Sequence, residues 1–394
     1  MPAFAAAAFV AAIVFAGAPV AASLMLGTDQ DSDCNKVVFD QTDEDLHVRT
    51  MVVEDSNVDG QRQRSLVLVA DDDHSMPCRP QWWLEHNPQG VIHCKASAGK
   101  VAGMNLCDAG QCEADAENVE LGYVRTMLAS SLFVPRSHTM SAVCIELGCR
   151  ARMTRTRTVG TLLERAPEAQ WSPRSHIRRA LIIGLGSSTM ALWMRHELLD
   201  TELHVAELVP GVAAAAPCFG LQVPGNSGRN SSNAGLHLHV GDGRKFLQEE
   251  APDGHFDVII VDAFDKTASL PACFRTREFF QLARQKLAPG GALSFNLLNT
   301  KSALRIVKSL TLSFETSHVW MGQAPGAEGI QEVVTAFAPG RQVNAADSAG
   351  GTESALPAAK AWFAAAQYST LRSDALKAVQ PFEDVTECSG RVES

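Results

Sequence analysis

Between residues 178 and 340, short and continuously apolar runs alternate with helical ones, and that order leaves few folds open. Ala180-Leu-Ile-Ile183 is apolar throughout, as a strand buried on both faces must be. It runs into Gly184-Leu-Gly186 and then the helical stretch Met190–Leu199. Glu202–Leu208, Leu236–Val240, Phe256–Asp262 and Ala292–Asn296 repeat the strand signal, with helical stretches at Arg244–Glu250 and Thr276–Leu287. Such alternation builds a parallel, doubly wound sheet. A last pair, 315–320 and 332–338, reads as a terminal hairpin. The expected fold is α/β, a Rossmann-type domain over 178–340 with a mostly parallel seven-stranded sheet.

The rest of the chain is organised around that domain. Residues 29–134 read as an N-terminal β region with a cysteine-rich insertion. Runs at 36–39, 46–53 and 65–70 predict a small antiparallel sheet, 71–118 is irregular, and Leu121–Phe133 has helical spacing. Residues 135–177 form an irregular basic insertion or linker, and 341–394 a Gly/Ala/Ser linker with a short helical tail. Residues 1–28 carry no charged side chain, and the apolar run Ala3–Leu26 is long enough to span a bilayer. They are expected to be a signal peptide or a membrane anchor, which directs the chain to the secretory pathway or an organelle.

Charge and cysteines narrow the partners. Lys and Arg number 34 and Asp and Glu 44, a formal charge of −10, so no nucleic-acid partner is expected. Ten cysteines are present, seven of them before residue 150, and an oxidising compartment would allow some to pair. No CxxC pair occurs, so no metal site is expected. Membrane contact through residues 3–26 and a homodimer are both compatible with the sequence.

The chemistry-bearing residues follow the strands. Gly184 and Gly186 form a turn between a buried strand and a helix, where a ligand can approach the backbone and meet unpaired N–H groups. Glu207 ends the next strand, where a carboxylate accepts hydrogen bonds from both ribose hydroxyls. Asp242 lies after the third strand, placed to receive an adenine amino group, with Gly243 beside it in the same binding loop. Asp262 and Asp265 sit at the carboxyl edge of the sheet, where open α/β folds bind ligands. Either can orient an amine nucleophile or accept its proton, and Asp262 also belongs to the cofactor-binding set. Any one acid alone reads equally as a solvated loop residue or a helix cap. In register with successive strands, they mark a ligand site.

Longer motifs add a resemblance. Gly241-Asp-Gly-Arg-Lys-Phe-Leu247, Phe256-Asp-Val-Ile-Ile-Val-Asp-Ala-Phe-Asp265, Thr276-Arg-Glu-Phe-Phe280 and Leu287-Ala-Pro-Gly-Gly291 resemble the spermidine synthase-like superfamily of class I enzymes that use S-adenosylmethionine (SAM). The β region and Leu121-Gly-Tyr-Val-Arg-Thr-Met-Leu128 fit as well, so the likeness spans roughly 35–70, 117–135 and 178–340. It implies the class I SAM-dependent methyltransferase fold preceded by a small antiparallel β domain, and SAM or decarboxylated SAM as cofactor.

The departures choose between branches. Spermidine synthases carry an acid directly after the glycine cluster, which holds the amine substrate; here Ser187 stands there, followed by Ser188 and Thr189. The usual acidic-hydrophobic-Asp-Pro stretch reads Glu207-Leu-Val-Pro210. The sequence is therefore similar to the methyltransferase-like branch. It is expected to transfer methyl to a small-molecule amine or a protein amine. The alternatives are a polyamine aminopropyltransferase using decarboxylated SAM, and a non-catalytic SAM-binding pseudoenzyme.

Overall fold

A computed structural model describes residues 37–56, 62–70, 90–95, 114–117, 119, 121–135, 163–165, 171–174, 176–223, 235–264, 270–297, 300–315, 318–324, 332–340, 356–366, 368–371, 376–382 and 385. The leader read over residues 1–28 lies outside the described residues. Among the described residues no helix is long and apolar enough to cross a membrane.

The main sheet has the alternating run at its centre. Strands β8 (Arg179–Ile183), β9 (Glu202–Glu207), β10 (Leu236–Val240), β11 (Phe256–Val261) and β12 (Leu287–Leu297) pair in parallel, and β14 (Glu332–Phe337) pairs antiparallel with β12 and with β13 (Val319–Gln323). The order β10-β9-β8-β11-β12-β14-β13 is the expected mostly parallel seven-stranded sheet. Successive residues of β8 feed two different apolar layers: Ala180 and Ile182 go to one, Leu181 and Ile183 to the other. A strand sandwiched in this way has no polar face, which is why its sequence does not alternate.

Helices cover both faces. The layer containing Leu181 is closed by α4 (Gly243–Glu249), α5 (Arg277–Lys286) and α6 (Thr300–Thr311). The opposite layer is closed by α1 (Gly122–Leu132) and α2 (Thr189–Glu197), with α3 (Pro210–Ala215) at its edge. The N-terminal sheet joins it there. Its strands β1 (Val37–Asp43), β2 (Val48–Ser56), β3 (Arg62–Ala70) and β4 (Gly90–His93) run antiparallel in sequence order. Val52, Leu66 and Ile92 enter the main core, while Met51, Val53, Val67 and Val69 make a small cluster of their own. The contact is tight: a Cβ on Gly211 of α3 would lie 2.5 Å from Thr50 Oγ1.

The structure corrects several readings. The basic insertion and the tail are not wholly outside the fold. Short strands β6 (Leu163–Arg165) and β15 (Ser369–Leu371) extend the sheet to nine strands, and β5 (Phe133–Pro135) pairs with β7 (Trp171–Pro173). Helix α7 (Leu356–Ala365) packs its Phe363 against Phe133 and Tyr368, at ring separations of 4.6 and 4.3 Å. Three-residue strands are too short to leave a periodic signature. The 71–118 segment supplies β4, and the Pro289-Gly-Gly291 turn is absorbed into β12 as a bulge with Gly290 at φ +74°. Cys94, Cys218 and Cys273 are disulfide-bonded, so pairing reaches past the first half of the chain.

Candidate functional site

The turn after β8 is fixed by contacts that forbid a side chain. Gly184 sits at φ +93°, and a Cβ there would lie 2.3 Å from the Asp262 carbonyl oxygen. Its N–H donates to Ala206 O at 2.8 Å, and the Asp262 N–H donates to Ile183 O at 2.9 Å, so the turn is stitched to both neighbouring strands. Gly184→Ala combines positive-φ strain with overpacking, and should cost about 2–4 kcal/mol. Urea unfolding would show this as a lower midpoint at unchanged slope; an unchanged midpoint would mean that the turn yields freely.

Glu207 faces this turn from the end of β9. One carboxylate oxygen accepts from the Leu185 N–H at 2.7 Å and the other from the Val209 N–H at 2.8 Å. The residue is 6% exposed. Burial pushes its pKa up, while backbone N–H groups from Val209, Leu185, Leu208 and Gly186 pull it back. Each oxygen has more than one lone pair, so the carboxylate keeps the capacity to accept from a vicinal diol.

Asp242 and Gly243 have structural duties as well. Asp242 caps α4, with Oδ1 accepting from the Arg244 N–H at 2.7 Å and the Lys245 N–H at 3.3 Å. The spacing that suggested an adenine contact is thus also that of a helix cap. Gly243 was read as part of the binding loop. Its missing side chain also serves packing, since a Cβ there would lie 2.6 Å from Ile183 Cγ2. The double duty of Asp242 sets the right substitution. Asp242→Asn keeps a good cap, whereas Asp242→Ala should lose about 1 kcal/mol of stability. If Asp242 also receives an adenine amino group, both variants should bind adenosyl ligands at least tenfold more weakly, and only the alanine should melt early. Unchanged affinity in Asp242→Asn would leave Asp242 as a cap alone.

The third part of the site is a small, partly open pocket. Gly90 of β4, Tyr123 and Val124 of α1, Ser187, Thr189 and Asp262 line it. Asp262 follows β11 and supplies the only carboxylate among the described lining residues. Tyr123 donates to its Oδ2 at 3.4 Å, a long bond, and its buried Oδ1 has no hydrogen-bond partner within 3.5 Å among the described residues. Burial raises the Asp262 pKa to about 7, against the lowering pull of Tyr123 and of Asn296 on β12. The same burial, with the Asp262 charge, raises the Tyr123 pKa well above its usual value. A carboxylate half-protonated near neutrality, beside a pocket, is suited to taking a proton. Asp265 lies outside the described residues.

Position 187 shapes the other wall. Ser187 Oγ lies 2.8 Å from Thr189 Oγ1, which donates to Val91 O at 3.3 Å. A Cβ on Gly90 would lie 2.3 Å from Ser187 Oγ, so β4 presses on the place where spermidine synthases keep their acid. Ser188 adopts a left-handed conformation at φ +65° to start α2. Sequence reasoning missed Tyr123, Gly90 and Asn296 as site residues. Tyr123 had a signal: it is one of two tyrosines in the chain, set at the start of a helix whose periodic positions are aliphatic.

Residues 224–315 match the model of the spermine/spermidine synthase domain. That match lies inside the Rossmann domain, over the strands and helices that follow the glycine turn. No curated protein sequence matches the chain. Among solved structures it is similar to a probable spermidine synthase from Corynebacterium glutamicum, at 16% identity and a TM-score of 0.50, over 86% of this chain and 94% of that one. Human methyltransferase-like protein 13, solved with S-adenosylhomocysteine (SAH), aligns at 19% identity and a TM-score of 0.35 over 47% of this chain and 80% of its own. The first of these likenesses supports the fold.

Proposed function

We propose that this spermidine synthase-like chain is a SAM-dependent methyltransferase acting on an amine-type acceptor. The observation that carries the proposal is the pocket wall: where a polyamine-holding acid would stand, Ser187 is packed against Gly90, and Asp262 is left as the lone described carboxylate. A diamine with two ammonium ends needs more negative charge than that to offset its desolvation.

The residues present fit an adenosyl ligand. Glu207 would hold the ribose hydroxyls and Asp242 the adenine amino group, beside the glycine turn at 184–186. SAM, when bound, supplies a methyl group already activated on a sulfonium. The chain's own work is to align the nucleophile, exclude water and remove a proton. Asp262 accepts the proton that leaves the amine nitrogen as the new N–methyl bond forms, and Tyr123 orients its carboxyl. Burial of Oδ1 keeps competing water away from that proton.

The family match over 224–315 favours a second reading, aminopropyl transfer from decarboxylated SAM. Turnover assays with each cofactor separate the two. Methyl transfer predicts SAH release from SAM with an amine acceptor, and no methylthioadenosine from decarboxylated SAM with putrescine. Putrescine-dependent methylthioadenosine release would overturn the methyltransferase reading.

A further inference from the structure

At the opposite end of the sheet from the glycine turn, four imidazoles and a carboxylate gather on one face. Glu202 opens β9 and Glu207 closes it, so Glu202 lies about 16 Å and His204 about 10 Å along the strand from the proposed ribose-binding position, at 3.3 Å per residue. The cluster is separate from the pocket beside Asp262.

The strand register brings the group together. His237 of β10 pairs with His204 of β9, and Glu202 pairs with Arg179 of β8, while His255 immediately precedes β11. His204 Nε2 lies 3.2 Å from Glu202 Oε1, and His237 Nε2 lies 3.4 Å from the same oxygen. One ligand atom from each of Glu202, His204 and His255 falls within 4.8 Å of the others. His204 Nδ1 lies 3.2 Å from His239 Nε2.

We propose that Glu202, His204 and His255 form a binding site for a divalent transition metal of the zinc class, with His237 as a fourth ligand. Three observations support it. A tetrahedral ion with bonds of about 2.0–2.2 Å spaces its ligand atoms roughly 3.3–3.5 Å apart, close to the 3.2 and 3.4 Å from Glu202 Oε1 to His204 Nε2 and His237 Nε2. Imidazole with one carboxylate is a donor set that suits zinc, nickel or copper better than magnesium or calcium. A ligating histidine usually donates its second ring N–H to a neighbour, and His239 stands where His204 would do so. The tautomers follow from this: His204 presents Nε2 to the ion and donates from Nδ1.

A cation already visits the place. Arg179 Nη1 lies 2.8 Å from His255 Nδ1, and its Nε lies 3.7 Å from Glu202 Oε2. Its side chain is 39% exposed, so it can swing out when an ion arrives. The guanidinium therefore competes with the metal. The sequence reading sought metal ligands in cysteine spacing, and this set was invisible there because it is assembled by strand register.

Calorimetric titration of the EDTA-stripped full chain with Zn²⁺ tests the site. One ion per chain should bind. Glu202→Gln and His255→Gln should each weaken it at least tenfold, and Arg179→Gln should tighten it. Glu202 is 41% exposed, so its loss leaves the apolar core intact. As a second readout, Zn²⁺ should raise the melting midpoint of the wild type and not that of Glu202→Gln. Absence of binding, or binding that survives both substitutions unchanged, would overturn the proposal and place any ion elsewhere, such as on the cysteines.

Discussion

Asp262→Asn should lower kcat by about 10²–10⁴-fold, the usual contribution of a positioned base, while making the folded protein more stable at neutral pH. The two effects share a cause. Asp262 has a buried Oδ1 with no partner among the described residues, and burial raises its pKa to about 7. In the unfolded chain it would titrate near 3.9. Below pH 4 both states are protonated and the group costs nothing. Between pH 4 and 7 the unfolded chain ionises first, so stability falls as pH rises, and above pH 7 the full penalty applies. Asparagine removes an ionisation that costs roughly 2–4 kcal/mol. The melting midpoint of Asp262→Asn should therefore match that of the wild type near pH 4 and exceed it by several degrees at pH 8. Ligand affinity should change little, since Glu207 and Asp242 are the residues proposed to hold the adenosine. A gap independent of pH, or a variant that keeps its turnover, would remove Asp262 as the base.

Glu207→Gln should cost at least about 10²-fold in SAM and SAH affinity. Each hydrogen bond to a charged group contributes about 1.5–3 kcal/mol, and two ribose hydroxyls would use this carboxylate. Glutamine also turns an amide NH2 toward one of two backbone donors, the Leu185 N–H or the Val209 N–H, both now within 2.8 Å of an acceptor. The glycine turn is loosened as well as the ribose contact. Comparison with adenine, which lacks the ribose, separates the two: a pure ribose effect leaves weak adenine binding intact, and a collapsed turn lowers both. Wild-type SAH affinity in Glu207→Gln would show that the carboxylate serves only to staple the turn.

The core of the fold is legible because its strands are buried on both faces. Ala180-Leu-Ile-Ile183 and Phe256–Val261 have no alternative to a parallel sheet centre, and the acids at their ends fall on one edge as a consequence of topology. What the sequence hides is made by contact between distant segments. Gly90 carries no local signal, yet it walls the pocket because β4 packs on Ser187. Strands β6 and β15 are three residues each and gain their place from pairing alone. Asp242 illustrates a different limit, since a helix cap and a ligand contact look identical in one dimension. Asn296 and the histidine cluster depend on which residues of neighbouring strands lie side by side.

Glu207, the glycine turn and Asp262 are proposed to frame one adenosyl-sulfonium site. Calorimetric titration of SAH into the full chain tests it most directly. One site per chain with micromolar affinity, and competition by SAM, is the expected result. No heat and no melting shift with SAH, SAM or decarboxylated SAM would contradict it.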